Sequence, residues 1–150
     1  MKIAFYKSTR PFPASLFNYA VRWWTNGKYS HCELVFEYYK NAEEYVCMSS
    51  SFIDGGVRSK ITKLDLNKWD IIDLPSEKFS ETKARQWFID HLYQGYDVLN
   101  LLGFIWRRAD GSKKKWTCSE ACAAALGLSE PWRFDPNSLF AYIKDKKDIL

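Results

Sequence analysis

The sequence predicts an α+β domain in which an antiparallel sheet is built first and helices are then laid against it. Three observations carry this. Strand patterns crowd residues 31–74, where four candidates are separated only by tight turns. Helical patterns dominate from residue 80 onward. Strict strand–helix alternation, which a parallel doubly wound sheet requires, is missing.

The elements follow in order. Lys2–Lys7 reads as a short strand. Ser15–Trp24 carries Leu16, Phe17, Ala20, Val21 and Trp24 at helical spacing, and Thr25-Asn26-Gly27-Lys28 ends it with turn residues. His31–Tyr39 is rich in Val, Phe and Tyr. Lys40-Asn41-Ala42-Glu43 suits a hairpin loop, and Glu44–Ser51 returns as its partner strand. Asp54-Gly55-Gly56 turns the chain again, and Val57–Leu64 and Lys68–Leu74 are two further strands. Ser80 is a natural N-cap for a helix over Ser80–Gln94 that presents Ala84, Trp87, Phe88, His91 and Leu92 on one side. Val98–Trp106 reads as a short apolar helix, Arg107–Lys115 as a basic loop and Cys118–Leu126 as another helix. Asp135-Pro136 opens the last helix, with Asp as cap and Pro at the first helical position.

The 150 residues fit one domain, 1–150. With 47% hydrophobic and 17% aromatic residues, disorder is excluded. No long apolar run and no charged-apolar-small leader stands in the sequence, so a cytoplasmic protein is expected, or one exported by a route that needs no signal. The net charge of +4 is mild and does not by itself define a nucleic-acid binder; a monomer is expected. The cysteines are Cys32, Cys47, Cys118 and Cys122, and without secretion they should be free thiols. No C-x-x-C pair exists, which disfavours a zinc knuckle, and no cofactor is called for.

One segment carries chemistry. In Thr117-Cys118-Ser119-Glu120, Thr117 and Glu120 have capping-box spacing, so a helix should begin just after Thr117. Cys118 then stands at the first helical position, where free N–H groups and the positive dipole end favour a thiolate. Cys122 lies one turn deeper in the same Ala-rich helix, as a buried structural thiol or, less simply, a resolving cysteine or metal ligand. Of the two histidines, His31 opens a strand and can project from the sheet edge toward a helix start. His91 sits inside an amphipathic helix and reads as a packed or surface residue.

These residues resemble a known family. Ser30-His31-Cys32-Glu33-Leu34-Val35 is similar to the histidine-strand motif of papain-like NlpC-type amidases, and Trp116-Thr117-Cys118-Ser119-Glu120 to their nucleophile motif. The histidine precedes the cysteine here, which resembles the circularly permuted branch containing the YiiX-like amidases and the lecithin:retinol acyltransferase relatives. Gly95-Tyr96-Asp97, Asp135-Pro136-Asn137-Ser138-Leu139-Phe140 and Gly55-Gly56-Val57-Arg58 resemble further segments of that branch, in the same order.

The resemblance implies a papain-like fold with a small antiparallel sheet packed on the nucleophile helix. It implies acyl transfer through a Cys118 acyl-enzyme, with His31 as proton shuttle and Tyr96 in support. The family's third catalytic member lies on the strand after the histidine strand, where this chain offers only Ser49 and Ser50. Glu33, on the same strand face as His31, is the alternative orienting group. An amidase or peptidase acting on a small peptide or N-acyl amide, a cell-wall (murein) peptide among them, is the first reading. A non-catalytic binding module and a lipid acyltransferase or phospholipase are the others. Arg107, Arg108, Lys113, Lys114 and Lys115 crowd the approach to the nucleophile and would suit an anionic surface, or form a solvated loop. Phe12, Phe17, Trp23 and Trp24 would flank an acyl groove or join the core.

Overall fold

A computed structural model describes residues 1–8, 14–97 and 115–148. It is a mixed α+β structure. Its strands are β1 (Lys2–Tyr6), β2 (His31–Tyr39), β3 (Glu44–Ser51), β4 (Gly56–Thr62), β5 (Trp69–Asp73), β6 (Gly95–Tyr96) and β7 (Lys115–Trp116). Its helices among the described residues are α1 (Ala14–Trp24), α2 (Glu81–Asp90), α3 (Cys118–Ala125) and α4 (Pro136–Asp148), with a 3-10 turn at Pro131–Arg133. The expected helix over Val98–Trp106 and the basic residues Arg107, Arg108, Lys113 and Lys114 lie outside the described residues. No helix among the described residues is long and apolar enough to cross a membrane.

The sheet is larger than expected. Seven strands run in the order β5-β1-β2-β3-β4-β6-β7, all antiparallel except the β6–β7 pair. Strands β6 and β7 escape sequence reading because two residues carry no period. Their place is built by close backbone approach. Gly56 has φ +151°, and a Cβ there would run into the Gln94 carbonyl, which instead accepts the Val57 N–H at 2.8 Å. The same approach ends α2 early. The helix was expected to reach Gln94, but Tyr93 takes φ +66° and donates its N–H to the Val57 carbonyl at 3.0 Å.

The two faces of the sheet are buried differently. On one, Ile3, Phe5, Cys32, Leu34 and Met48 pack against Ala84 and Phe88 of α2, the Ala-rich face of α3 and Leu139 and Ile143 of α4. The small side chains of Ala121, Ala123 and Ala125 let α3 lie close to the strands. On the other face, Ala4, Tyr6, Val35, Cys47, Leu64 and Trp69 form a second cluster. His31 and Glu33 share the strand parity of Val35, which places them on this second face.

Candidate active site

The start of α3 is fixed from both sides. The Glu120 N–H donates to Thr117 Oγ1 and the Thr117 N–H donates to Glu120 Oε2, each at 3.3 Å, completing the capping box that the spacing predicts. Upstream, Trp116 is held at three points. Its carbonyl accepts from Ser50 Oγ at 2.6 Å and from the Asp97 N–H at 3.3 Å, and its indole N–H donates to Gln94 Oε1 at 2.7 Å. Cys118 therefore enters the helix at a set height, buried to 4% exposure.

His31 is the first residue of β2, opposite Tyr6 of β1, with its ring 6.2 Å from that of Trp69. Its Nε2 lies 3.0 Å from Glu33 Oε1. The imidazole also interacts with the Cys118 thiol, which helps to raise it. Cys118, His31 and Glu33 thus form one connected row. Glu33 is the group that orients the imidazole.

Ser49 and Ser50 are corrected. Neither hydroxyl hydrogen-bonds His31: Ser49 Oγ donates to the Cys32 carbonyl at 2.7 Å, and Ser50 anchors Trp116. The reason is the row of side chains across the sheet. Continuing the Leu34–Met48 register sets Ser49 beside Glu33, and Ser49 pairs with Arg58 of β4 on its other side. A side chain as short as serine at this position lets Arg58 reach over β3. Arg58 Nη2 and Nη1 then meet Glu33 Oε1 and Oε2 at 2.7 and 3.2 Å, while Arg58 Nε bonds Asp54 Oδ2 at 2.9 Å. Arg58 and Asp54 were not among the sequence candidates. The hairpin register through Gly55-Gly56 is the signal that would have found Arg58.

The charges follow from these contacts. The Cys118 thiol is held well below its usual range by hydrogen bonding to Cys32, which with the charge and hydrogen bond of His31 outweighs burial. Burial pulls the His31 imidazole down, but the Cys118 and Glu33 charges more than offset it, so it is raised. Glu33 is driven far below the carboxylate range, because His31 and Arg58 overcome its desolvation. Tyr96 is buried, and burial together with the nearby Cys118 charge pushes its phenol well up. It stays protonated.

The other candidates fall elsewhere. His91 stacks on Trp87 at 4.0 Å and its Nδ1 lies 2.7 Å from the Trp87 carbonyl, a packed helix-end histidine. Cys122 turns its thiol toward the Cys32 carbonyl at 3.8 Å. No trio of His, Cys, Asp or Glu among the described residues is arranged to hold a metal ion. Trp23 and Trp24 are exposed, not core, and Lys115 is exposed on β7. No family model matches the chain, and no curated protein matches it at a significant level.

Proposed function

We propose that the protein is a cysteine hydrolase, an amidase or peptidase of the circularly permuted papain-like, NlpC-type kind. Its substrate on this reading is a small peptide or N-acyl amide, such as a murein peptide, handled by a monomer in the cytoplasm. The observation that carries the reading is the continuous Cys118–His31–Glu33 row with its sulfur at a capped helix start.

The chemistry follows from those positions. The Cys118 thiolate attacks the carbonyl carbon, and the oxygen becomes an oxyanion within reach of the Cys118 backbone N–H, one of the unpaired donors at the start of α3. His31, as imidazolium, protonates the departing amine as the carbon–nitrogen bond breaks and leaves a thioester on Cys118. Neutral His31 then takes a proton from water, whose oxygen attacks the thioester and releases the acid. Glu33 keeps Nε2 protonated and the ring fixed through both steps.

An acyl-thioester-forming probe tests this. Wild type acquires a covalent adduct on Cys118, located by peptide mass mapping, and Cys118→Ala acquires none while keeping its circular dichroism spectrum. If wild type forms no adduct yet binds murein peptides as well as Cys118→Ala does, the protein is a binding module and the hydrolase reading fails. One observation favours a lipid acyl donor as a second reading: Leu16, Tyr19 and Trp23 stand exposed along α1. Acyl release from phospholipid vesicles, absent with N-acyl amides, would select it.

A further inference from the structure

The second face of the sheet is not filled evenly. The neighbours of Glu33 across the strands are Ala4 of β1 and Ser49 of β3, both short. Larger side chains stand on either side of them. Trp69 comes from β5, and Arg58 and Lys60 come from β4, where alternate residues share one face. A pocket of about 130 Å³ lies among these residues, and Ile53 and Lys63 line it as well.

The pocket is short of negative charge. Three cations, Arg58, Lys60 and Lys63, line it against two carboxylates, Glu33 and Asp54. Arg58 already engages both carboxylates, Glu33 at 2.7 and 3.2 Å and Asp54 at 2.9 Å. Lys60 Nζ comes only within 3.9 Å of Asp54 Oδ1, beyond hydrogen-bond reach, and its side chain is 54% exposed. Lys63 is exposed. The unmatched positive charge therefore sits on the two lysines, while Trp69 and Ile53 supply apolar surface beside it. This pairing suits a small anion with a hydrocarbon end. Its size follows from the volume: an apolar cavity of about 150 Å³ accepts benzene, so this pocket takes about six heavy atoms.

We propose that this pocket binds a short aliphatic carboxylate, with the carboxylate at Lys60 and Lys63 and the hydrocarbon end against Trp69 and Ile53. The pocket shares Glu33 and Arg58 with the row behind His31, but neither His31 nor Cys118 lines it. The inference goes beyond the hydrolase reading and stands or falls without it.

The probe is butyrate, with butyramide as its neutral isostere. Each is titrated at constant ionic strength into the isotope-labelled full chain and followed by amide NMR. Butyrate should give saturating shifts at Ile53, Lys60, Lys63 and Trp69, and butyramide none. The double variant Lys60→Gln/Lys63→Gln changes two exposed side chains. It should bind butyrate roughly three- to tenfold more weakly, as the loss of two exposed ion pairs implies. Cys118→Ala should bind it as wild type does. Unsaturating shifts, equal shifts with butyramide, or unchanged affinity in the double variant overturn the proposal. So do butyrate shifts that centre on Cys118 and His31 and vanish in Cys118→Ala, which would put the acid at the sulfur. Inorganic sulfate binding at the same amides as tightly as butyrate would overturn the carboxylate assignment, since sulfate has no hydrocarbon end to place on Trp69.

Discussion

Replacing Arg58 by methionine removes the guanidinium and leaves the Glu33 carboxylate buried with one fewer counter-charge. The pair is bidentate at 2.7 and 3.2 Å, and the side chains are 12% and 3% exposed, so solvent screens it little. At an effective dielectric of ~20, unit charges about 4 Å apart attract by about 4 kcal/mol. Loss of one partner of a buried pair typically costs roughly 3–5 kcal/mol, consistent with that figure. For a chain of this size, each kcal/mol moves Tm by roughly 2–4 °C, so Arg58→Met should melt roughly 6–20 °C below wild type by circular dichroism. Glu33→Gln in the Arg58→Met background should recover part of this, because the carboxylate stranded by the first change is neutralised. The same substitution weakens the hold of Glu33 on the imidazole, so the acid limb of Cys118 alkylation should move to higher pH. An Arg58→Met protein with wild-type Tm and an unmoved alkylation limb would refute the reasoning: Glu33 would then not depend on Arg58.

Two further predictions follow from the helix start. Native Cys118 should react with iodoacetamide well below the pH at which the same cysteine reacts in the urea-unfolded chain, whose thiols titrate near 8.5. Its thiol range is depressed, so the thiolate is present above that lowered range and is lost as pH falls through it; the raised imidazole loses its proton at the alkaline end. Acyl turnover should therefore rise with the first step and fall with the second. Coincident native and unfolded alkylation curves would contradict the thiolate assignment. Thr117→Ala removes one half of the capping box and should cost about 1 kcal/mol, or roughly 2–4 °C in Tm, while shifting Cys118 alkylation to higher pH. A Tm change with no shift in the alkylation curve would mean that the cap serves the fold alone.

What could be read from the sequence is what depends on neighbours along the chain. Thr117 and Glu120 are three residues apart, and the helix they cap begins where that spacing says. His31 and Glu33 are two apart on a strand, so their shared face follows from the pleat alone. The hairpin at residues 40–43 and the caps at Ser80 and Asp135 belong to the same class, with Ser80 Oγ accepting the Lys83 N–H and Asp135 Oδ1 the Asn137 N–H. What stayed hidden needs several elements to be placed at once. The reach of Arg58 over Ser49 depends on the registers of β2, β3 and β4 together, and a bulge between Val35 and Glu37 shifts the first of these. Ser50 resembled a partner for His31 because its role, holding Trp116, appears only once β7 is known. The approach of the Cys122 thiol to the Cys32 carbonyl spans two elements far apart in the chain and leaves no periodic trace.

The hidden residues explain why the legible ones can work in so dry a place. Cys118, His31 and Glu33 are all under a tenth exposed, and a buried thiolate–imidazolium–carboxylate row carries a net negative charge that burial would expel. Arg58 continues the alternation by placing a fixed positive charge behind Glu33, and Asp54 meets Arg58 in turn where the side chains approach solvent. Signs alternate from the helix start to the β3–β4 turn, so each buried charge has an opposite neighbour and no link is left to water alone. Proton transfer at the sulfur end changes only the first members of the row. Arginine cannot give up its proton in this range, so Glu33 stays ionised while His31 cycles between its two forms. A serine orienting group would have hydrogen-bonded the imidazole but could not have stabilised its charge. The same strand position that admits Arg58, the small Ser49, is therefore what allows the carboxylate to sit beside the histidine instead of across from it.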